Sequence, residues 1–184
     1  MDNGAASYRR FLAGEREGLA EIVREYSDGL ILYINSFVHN IGLSEDIAED
    51  VFVDIALKRP RYSGKSSFKT WLYAIARYTA LDRLKHCSRS SDRPIDQMYE
   101  LSDETDLEKA YIRSEQRIAL HRALSKLSDD YSQVLYLVYF EQLSYSEAGR
   151  VMKKSQRQVK NLVYRAKKAL REILEKEGIE YEEL

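Results

Sequence analysis

The sequence predicts an all-α protein of two small helical domains joined by a flexible linker, with a helix-turn-helix at the end of the second domain. Apolar residues recur at helical spacing along most of the 184 residues. No segment shows an alternating strand pattern with hairpin turns. A polar stretch around Pro94 breaks the helical periodicity and predicts the linker. The predicted divisions are 1–88 for the first domain, 89–106 for the linker, 107–176 for the second domain and 177–184 for an acidic tail.

The first domain is predicted to contain helices separated by short breaks. Apolar spacing indicates one helix near residues 19–26 and a second near residues 30–41. Ser44 is predicted to cap the N-terminus of a third helix, because acidic residues fill the turn that follows it. Residues 58–67 contain a proline and a glycine and are predicted to form a loop. A long helix is expected over residues 68–85.

The second domain is predicted to consist of shorter helices near residues 107–124, 129–140, 145–152 and 156–175. Its most specific local signal is a pair of capping boxes. Ser144 and Glu147 have the spacing of one capping box, and Ser155 and Gln158 have the spacing of another. The interval between the two helix starts fits a two-turn helix and a tight turn. This arrangement predicts a helix-turn-helix, whose second helix enters the DNA major groove.

The turn of this helix-turn-helix departs from the usual pattern. Lys153 occupies the turn position that glycine usually fills. A left-handed backbone at Lys153 would cost about 1 kcal/mol relative to glycine. The local fold is expected to tolerate this cost.

The net charge of −1 conceals a strong segregation of charge along the chain. Residues 42–57 carry only acidic charges, and residues 58–93 are predominantly basic. Residues 94–108 are again acidic, and residues 150–171 carry only basic charges. Two basic blocks separated by an acidic connector indicate two anion-binding surfaces. The alternative is the ordinary charged surface of a helical protein.

Composition argues against several other classes of protein. Cys87 is the only cysteine, so an intrachain disulfide and a cysteine metal cluster are both excluded. No apolar run approaches the roughly 18 residues of a membrane span, and the N-terminus lacks a signal-peptide pattern. We therefore expect a soluble, cytoplasmic protein without direct membrane insertion. No Ser/His/Asp, Cys/His or metal-ligand spacing is present, so we expect no catalytic residues, no metal and no cofactor.

The last helix is predicted to have an apolar face and a basic outer face. Val159 and Val163 belong to the apolar side, and the opposite side carries no carboxylate. Arg157, Asn161 and Gln158 have planar donors that can read base edges, while the cations can contact phosphates. The alternative is an amphipathic helix with a solvated basic face.

The helix after Ser44 shows a comparable division into two faces. Its predicted outer face combines carboxylates with the apolar Val53 and Leu57. Exposed apolar residues among acidic ones indicate a docking surface for a basic protein partner. A merely solvated face is the alternative.

Beyond this helix, the basic loop over residues 61–67 contains Tyr62 and is suited to holding an unstacked base. Trp71, in the helix that follows, is expected in the core.

Three segments, in this order along the chain, resemble the sigma-70 family of RNA polymerase sigma factors. They read SEDIAEDVFVDIALK, YSGKSSFKTWLYAIARYTALDRLK and LSDDYSQVLYLVYFEQLSYSEAGRVMKKSQRQVKNLVYRAKKALREIL. The chain is most similar to the extracytoplasmic-function (ECF) group, which retains only domains two and four. The resemblance implies a sigma factor that directs core polymerase to promoters and assists DNA melting. Core polymerase (its β′ clamp helices and β flap), promoter DNA and an anti-sigma factor are the expected partners.

The resemblance also assigns roles to residues of this chain. It implies that the outer face of the third helix binds core polymerase, through Asp46, Glu49, Asp50 and Val53. It implies that the loop and the following helix engage the −10 element, through Tyr62, Ser63, Gly64, Lys65, Ser66, Lys69 and Arg77. It implies that the last helix reads the −35 element, through Ser155, Arg157, Gln158, Lys160, Asn161, Tyr164, Arg165 and Lys168.

The main alternative function is that of a helix-turn-helix repressor or activator that binds an operator as a dimer, without polymerase docking. This alternative predicts tight operator binding by the chain alone. An enzyme is disfavoured by the absence of catalytic spacing. A sigma-like protein that has lost promoter activity is a third possibility.

Overall fold

The computed structural model describes residues 3–90 and 115–176. The helices of the first part are α1 (Asn3–Leu12), α2 (Arg16–Val38), α3 (Ile41–Lys58) and α4 (Phe68–Ser90). Those of the second part are α5 (Glu115–Ser125), α6 (Asp129–Leu135), a π-helical turn (Tyr136–Phe140), α7 (Tyr145–Met152) and α8 (Gln156–Lys176). Both described ranges lack β-strands, which confirms the all-α prediction. Most of the predicted linker and the acidic tail lie outside the described residues.

Two predictions about the first helices were wrong. Residues 16–38 form one continuous helix rather than two, because the polar Asp28 points to solvent and does not interrupt the hydrogen bonding. The break comes at His39, whose backbone is left-handed with φ 55°. Asn40 then caps α3, since its side-chain oxygen accepts a hydrogen bond from the Leu43 amide at 2.7 Å.

Ser44, the predicted cap, lies inside the first turn of α3 and is buried. Its hydroxyl donates to the Asn40 carbonyl at 2.7 Å. Both Asn and Ser are good capping residues, and here the left-handed residue before Asn40 decides where the helix begins.

An aromatic cluster joins α1, the 59–67 loop and α4. Tyr8 packs against Phe68 and Trp71, with ring centroids 5.5 and 5.3 Å apart respectively. The Tyr8 hydroxyl donates to the Pro60 carbonyl at 2.6 Å, which fixes the start of the loop. Trp71 is half-buried against this cluster, in agreement with its predicted core position. Burial of these rings therefore holds the loop against the first part of the protein.

The second part is built on one apolar face of α8. Val159, Val163, Ala166 and Leu170 are buried at helical spacing, as the sequence predicts. The π-helical turn was not predicted; within it Tyr136 and Phe140 stack with centroids 4.8 Å apart.

The two parts pack directly against each other. Helix α2 contacts α6, and α4 contacts α7. Tyr33 of α2 packs against Tyr136, with ring centroids 6.2 Å apart, so the apolar core continues across the boundary. The described helices contain no segment long and apolar enough to cross a membrane.

Candidate protein and nucleic-acid interfaces

The outer face of α3 has the mixed character that the sequence predicts. Asp46, Glu49 and Asp50 are exposed, and Val53 is 45% exposed among them. Leu57, one turn further, is 78% exposed. Helical spacing places these residues opposite the buried apolar side of α3, so carboxylates surround apolar groups that are open to solvent. We call this surface the α3 face.

A groove of about 560 Å³ between α2 and α3 borders the α3 face. Val23 of α2 and Phe52, Val53 and Ala56 of α3 contribute to its apolar lining, and Glu49 lies at its edge. Val23 was not predicted from the sequence to belong to this surface. The sequence has no local signal for this, because the groove forms only where α2 packs against α3.

The 59–67 loop begins with a left-handed residue, Arg59 at φ 44°, and turns at Gly64 with φ 69°. Tyr62, predicted to hold a base, is half-buried, with its ring against Phe68 and its hydroxyl donating to the Ser66 carbonyl at 2.5 Å. Ser63, Gly64 and Lys65 are exposed at the tip of the loop. In this conformation the tip is accessible, while Tyr62 supports it from inside.

Two predicted −10 residues of α4 contact the second part of the protein. The Lys69 ammonium lies 2.6 Å from a Glu141 carboxylate oxygen and also donates to the Glu141 carbonyl at 2.9 Å. Arg77 donates through Nε to the Gln133 side-chain oxygen at 2.8 Å. Burial, followed by the neighbouring Glu141 carboxylate, raises the pKa of the Tyr73 hydroxyl on the same helix. The basic side of α4 is therefore partly engaged in contacts with the second part of the same chain.

Tyr78 is a further candidate on α4 that was not predicted from the sequence. It is 65% exposed and directly follows Arg77. The Lys153 ammonium lies over its ring, 6.0 Å from the ring centroid. An exposed aromatic ring beside cations suits base stacking. Its signal in the sequence was its position outside the apolar stripe of α4.

Both predicted capping boxes are formed. The Ser144 hydroxyl accepts from the Glu147 amide at 3.3 Å, and a Glu147 carboxylate oxygen accepts from the Ser144 amide at 3.0 Å. The Gln158 amide donates to the Ser155 hydroxyl at 3.2 Å, and the Gln158 side chain accepts from the Ser155 amide at 2.7 Å. The side-chain oxygen of Gln158 is thus engaged in starting α8.

Lys153 lies in the turn between α7 and α8 with φ 55°, in the predicted left-handed conformation. Its amide donates to the Gly149 carbonyl. Lys154 lies 3.0 Å from an Asp130 carboxylate oxygen on α6, which ties the turn to the rest of the second part. The unit is therefore a helix-turn-helix despite the lysine in its turn.

The outer face of α8 is open to solvent along its length. Tyr164 is 74% exposed at its centre. The predicted −35 residues are exposed together; they are Ser155, Arg157, Gln158, Lys160, Asn161, Tyr164, Arg165 and Lys168. Such a face, free of carboxylates at the start of an accessible helix, has the chemistry to contact phosphates and base edges.

No group of three or more possible metal ligands occurs in the described parts of the chain. Two kinds of candidate region are present: an acidic and apolar surface on α3, and basic surfaces on the 59–67 loop, α4 and the helix-turn-helix.

Comparison with known proteins connects both regions to one family. The profile of sigma-70 region 2 matches residues 22–90, and that of sigma-70 region 4 matches residues 117–170. The chain belongs to the sigma-70 family. Region 2 contains the α3 face, the 59–67 loop and α4, while region 4 contains the helix-turn-helix.

Similar sigma factors span almost the whole chain. RNA polymerase sigma factor YlaC of Bacillus subtilis is 28% identical over 163 residues, covering 88% of this chain and 94% of that protein. The RNA polymerase sigma-H factor of Pseudomonas aeruginosa is 29% identical over 178 residues, covering 90% and 91%. The ECF RNA polymerase sigma factor SigW of Bacillus subtilis is 27% identical over 172 residues, covering 88% and 91%.

Two solved structures share the fold. CnrH, in complex with the cytosolic domain of CnrY, superposes with a TM-score of 0.64 at 21% identity, covering 94% of this chain and 95% of that one. The sigma factor RpoE, in complex with the anti-sigma factor NepR from Bartonella quintana, also has a TM-score of 0.64, at 19% identity, and covers 85% and 96%.

Proposed function

We propose that this chain is an ECF sigma factor that directs core RNA polymerase to specific promoters and assists DNA melting. The observation that carries this proposal is the presence, on one chain, of two different surfaces: the α3 face and the basic outer face of α8. A DNA-binding protein that acts alone needs only the second surface. A sigma factor needs both, because it bridges polymerase and promoter.

The α3 face is the proposed docking site for core polymerase. Asp46, Glu49 and Asp50 attract a basic partner, and Val53 supplies apolar area at the centre of the contact. The adjoining groove between α2 and α3 offers a concave apolar surface to a helical element such as the β′ clamp helices. The second part of the chain would contact the β flap.

The 59–67 loop and α4 are proposed to capture the −10 element after it opens. Extruding a base from the duplex costs a few kcal/mol, which contacts in the complex must offset. The exposed tip, residues 63–65, carries polar groups, and the neighbouring Tyr62 ring packs against Phe68 of the aromatic cluster. Promoter recognition is binding chemistry, and no step requires catalysis by this chain.

The second DNA contact is proposed for the outer face of α8, which would read the −35 element. Because the proposed partners, core polymerase and promoter DNA, are in the cytoplasm, the chain is proposed to act there. An anti-sigma factor is a proposed regulator, supported by the two similar folds whose structures contain such a partner or the cytosolic domain of CnrY. A repressor or activator that binds an operator without polymerase would not need the α3 face.

Charge reversal on the α3 face tests the docking proposal. The triple change Asp46→Lys, Glu49→Lys and Asp50→Lys should strongly weaken the capture of core polymerase, because it replaces three attractive charges by repulsive ones. These side chains are exposed, so helicity measured by circular dichroism should be unchanged.

The control is a charge reversal elsewhere, Glu25→Lys on the exposed side of α2, which should bind polymerase like the wild type. Undiminished capture by the triple variant would place the polymerase contact on another surface.

A further inference from the structure

Helix α1 contacts the 59–67 loop at the point where the loop leaves α3. The Tyr8 hydroxyl donates to the Pro60 carbonyl at 2.6 Å, and the Arg59 guanidinium lies over the Phe11 ring, 5.2 Å from the ring centroid. Arg59 has the left-handed backbone that ends α3, with φ 44°. Tyr8 and Phe11 of α1 therefore contact the two residues at which the loop begins.

The Tyr8 side chain is buried, which makes its hydrogen bond important. Tyr8 is 1% exposed, and burial raises the pKa of its hydroxyl, although the charge of Arg59 acts in the opposite direction. The hydroxyl is therefore protonated at neutral pH and can donate. Because a buried hydroxyl without a partner destabilises the folded state, the Pro60 carbonyl is the acceptor that keeps this side chain satisfied.

Two glycines allow α1 to pack closely against the rest of the first part. A Cβ on Gly18 of α2 would collide with the Ser7 carbonyl oxygen, and a Cβ on Gly4 would lie 2.5 Å from a Phe68 ring carbon. Each glycine therefore permits an approach that a larger residue would prevent. Since this packing fixes the position of α1, the Tyr8 hydroxyl is a fixed point to which the loop is attached.

The Tyr8 ring also belongs to the cluster that contacts the loop further along. It packs against Phe68 and Trp71 of α4. The Tyr62 ring of the loop packs against the same two rings, with centroids 5.7 and 5.4 Å away. Tyr8 thus supports the loop on both sides of its turn, directly at Pro60 and through the cluster at Tyr62. The exposed tip between them, residues 63–65, is the part proposed to meet the −10 element.

We propose that Tyr8 is a positioning residue for −10 recognition, which holds the 59–67 loop through the Pro60 carbonyl in the conformation that selects the captured base. Tyr8 is buried, so it acts through the loop and does not contact DNA itself. Its helix precedes residues 22–90, which match the sigma-70 region 2 profile, so the proposed −10 site depends on a contact from outside the matched residues. This inference rests on the proposed function for the identity of the loop's ligand.

The position of the loop should affect base selection more than overall DNA affinity. Hydrogen bonds to a base edge weaken steeply when donor and acceptor move apart or out of line. Contacts with phosphates carry no sequence information, and a displaced loop still offers its cations to them. Loss of the Tyr8 hydrogen bond should therefore reduce discrimination between bases at −10 more than it reduces binding.

The first measurement follows the loop in the free, full-length chain. Tyr8→Phe removes the hydroxyl and keeps the ring, so the aromatic cluster and the helicity should be preserved. Trypsin should cleave the native variant after Arg61 and Lys65 roughly three- to tenfold faster than the wild type, because the loss of one hydrogen bond favours local opening by about this factor. Mass spectrometry identifies the fragments. Cleavage of the loop at the wild-type rate would overturn the positioning role.

Two control variants separate this effect from a general loss of stability. Tyr131→Phe removes a hydroxyl from a half-buried tyrosine of α6, in the second part of the chain. Ile34→Val removes one buried methylene from α2 and lowers the stability of the core. Both variants should be cleaved at the loop like the wild type. An equal increase in Ile34→Val would mean that Tyr8 acts only through global stability, which would also reject the proposal.

The second measurement determines base selection by the holoenzyme. A promoter found by mapping wild-type transcripts is altered at each −10 position in turn, and transcription by wild-type and Tyr8→Phe holoenzymes is compared. At the captured position, the variant should discriminate between bases roughly three- to tenfold less well. Discrimination at the −35 element should be unchanged.

The two measurements distinguish failure of this inference from failure of the proposed function. Faster loop cleavage with unchanged −10 discrimination would contradict a role of Tyr8 in base selection. An absence of promoter-specific transcription by the wild-type holoenzyme would reject the proposed function and the base selection with it. The cleavage rates of the free chain would still decide whether Tyr8 positions the loop.

Discussion

At the scale of single residues, Lys153 shows how the helix-turn-helix tolerates a residue that its turn does not favour. The left-handed backbone is imposed by the capping of α7 and by the immediate start of α8, both of which involve hydrogen bonds. The adjacent ion pair between Lys154 and Asp130 anchors the turn to α6. A lysine can therefore remain in a position suited to glycine.

Replacing Lys153 by glycine should stabilise the protein. Lys153→Gly should increase the free energy of unfolding by about 1 kcal/mol, because glycine adopts positive φ without steric cost. Urea denaturation measures the change. The control is Lys160→Gly in the second turn of α8, which should lower stability by about 1 kcal/mol. A loss of stability in Lys153→Gly would show that the lysine side chain contributes more than the backbone strain costs.

Glu147 is a second residue with a measurable consequence. Burial acts to raise its pKa, but hydrogen bonds from Ser144, Ser67 and Thr70 outweigh burial and hold the pKa below the ordinary value of 4.5. A carboxyl with a lowered pKa in the folded state contributes stability above its unfolded pKa. That contribution is lost as pH falls through the folded pKa.

Glu147→Gln should therefore be less stable than the wild type at pH 7, and the difference should shrink as the pH falls below 4.5. Glutamine can still serve the capping box, so α7 should form in the variant. Urea denaturation at a series of pH values provides the measurement. A difference that stayed constant down to pH 2 would mean that the charge of Glu147 has no stabilising role.

At the scale of elements, the proposal that α8 reads DNA predicts different roles for the beginning and the later turns of its outer face. Arg157 and Asn161 lie near the start of the outer face, and Lys168 lies about three turns beyond Arg157. The beginning of a recognition helix reaches base edges, while a straight helix leaves the groove floor further along. Val163 faces the core and should affect stability instead.

Arg157→Ala or Asn161→Ala should lose about 1–3 kcal/mol of binding free energy on the preferred −35 element and less on altered elements. Lys168→Ala should weaken all sequences alike and lower the salt slope by about one. Holoenzyme binding to promoter variants over a salt series measures both effects. If Lys168→Ala changed base preference while Arg157→Ala did not, the proposed orientation of α8 in the groove would be wrong.

At the scale of the whole molecule, local features were predictable and distant contacts were not. The starts of α7 and α8 follow from capping boxes within four residues, so the sequence predicts them correctly. The start of α3 was mispredicted because Asn40 and Ser44 are both competent caps, and the choice depends on the backbone of His39.

The packing of the two parts has no local signal. The hydrogen bond from Ser67 to Glu147 joins residues 80 apart, and that from Arg77 to Gln133 joins residues 56 apart. The carboxylates that face Lys69 and Ser67 become apparent only in three dimensions. Charge segregation thus indicated two surfaces without indicating that Lys69 and Arg77 contact the other part of the chain.

Transcription in vitro tests the central claim most directly. Core polymerase from the source organism, with and without this chain, is given genomic DNA, and the 5′ ends of the transcripts are mapped. A sigma factor should produce new 5′ ends that share sequence elements near −10 and −35, and the triple reversal of Asp46, Glu49 and Asp50 should abolish them. An unchanged set of 5′ ends on adding the wild-type chain, despite a folded protein and active core, would contradict the account.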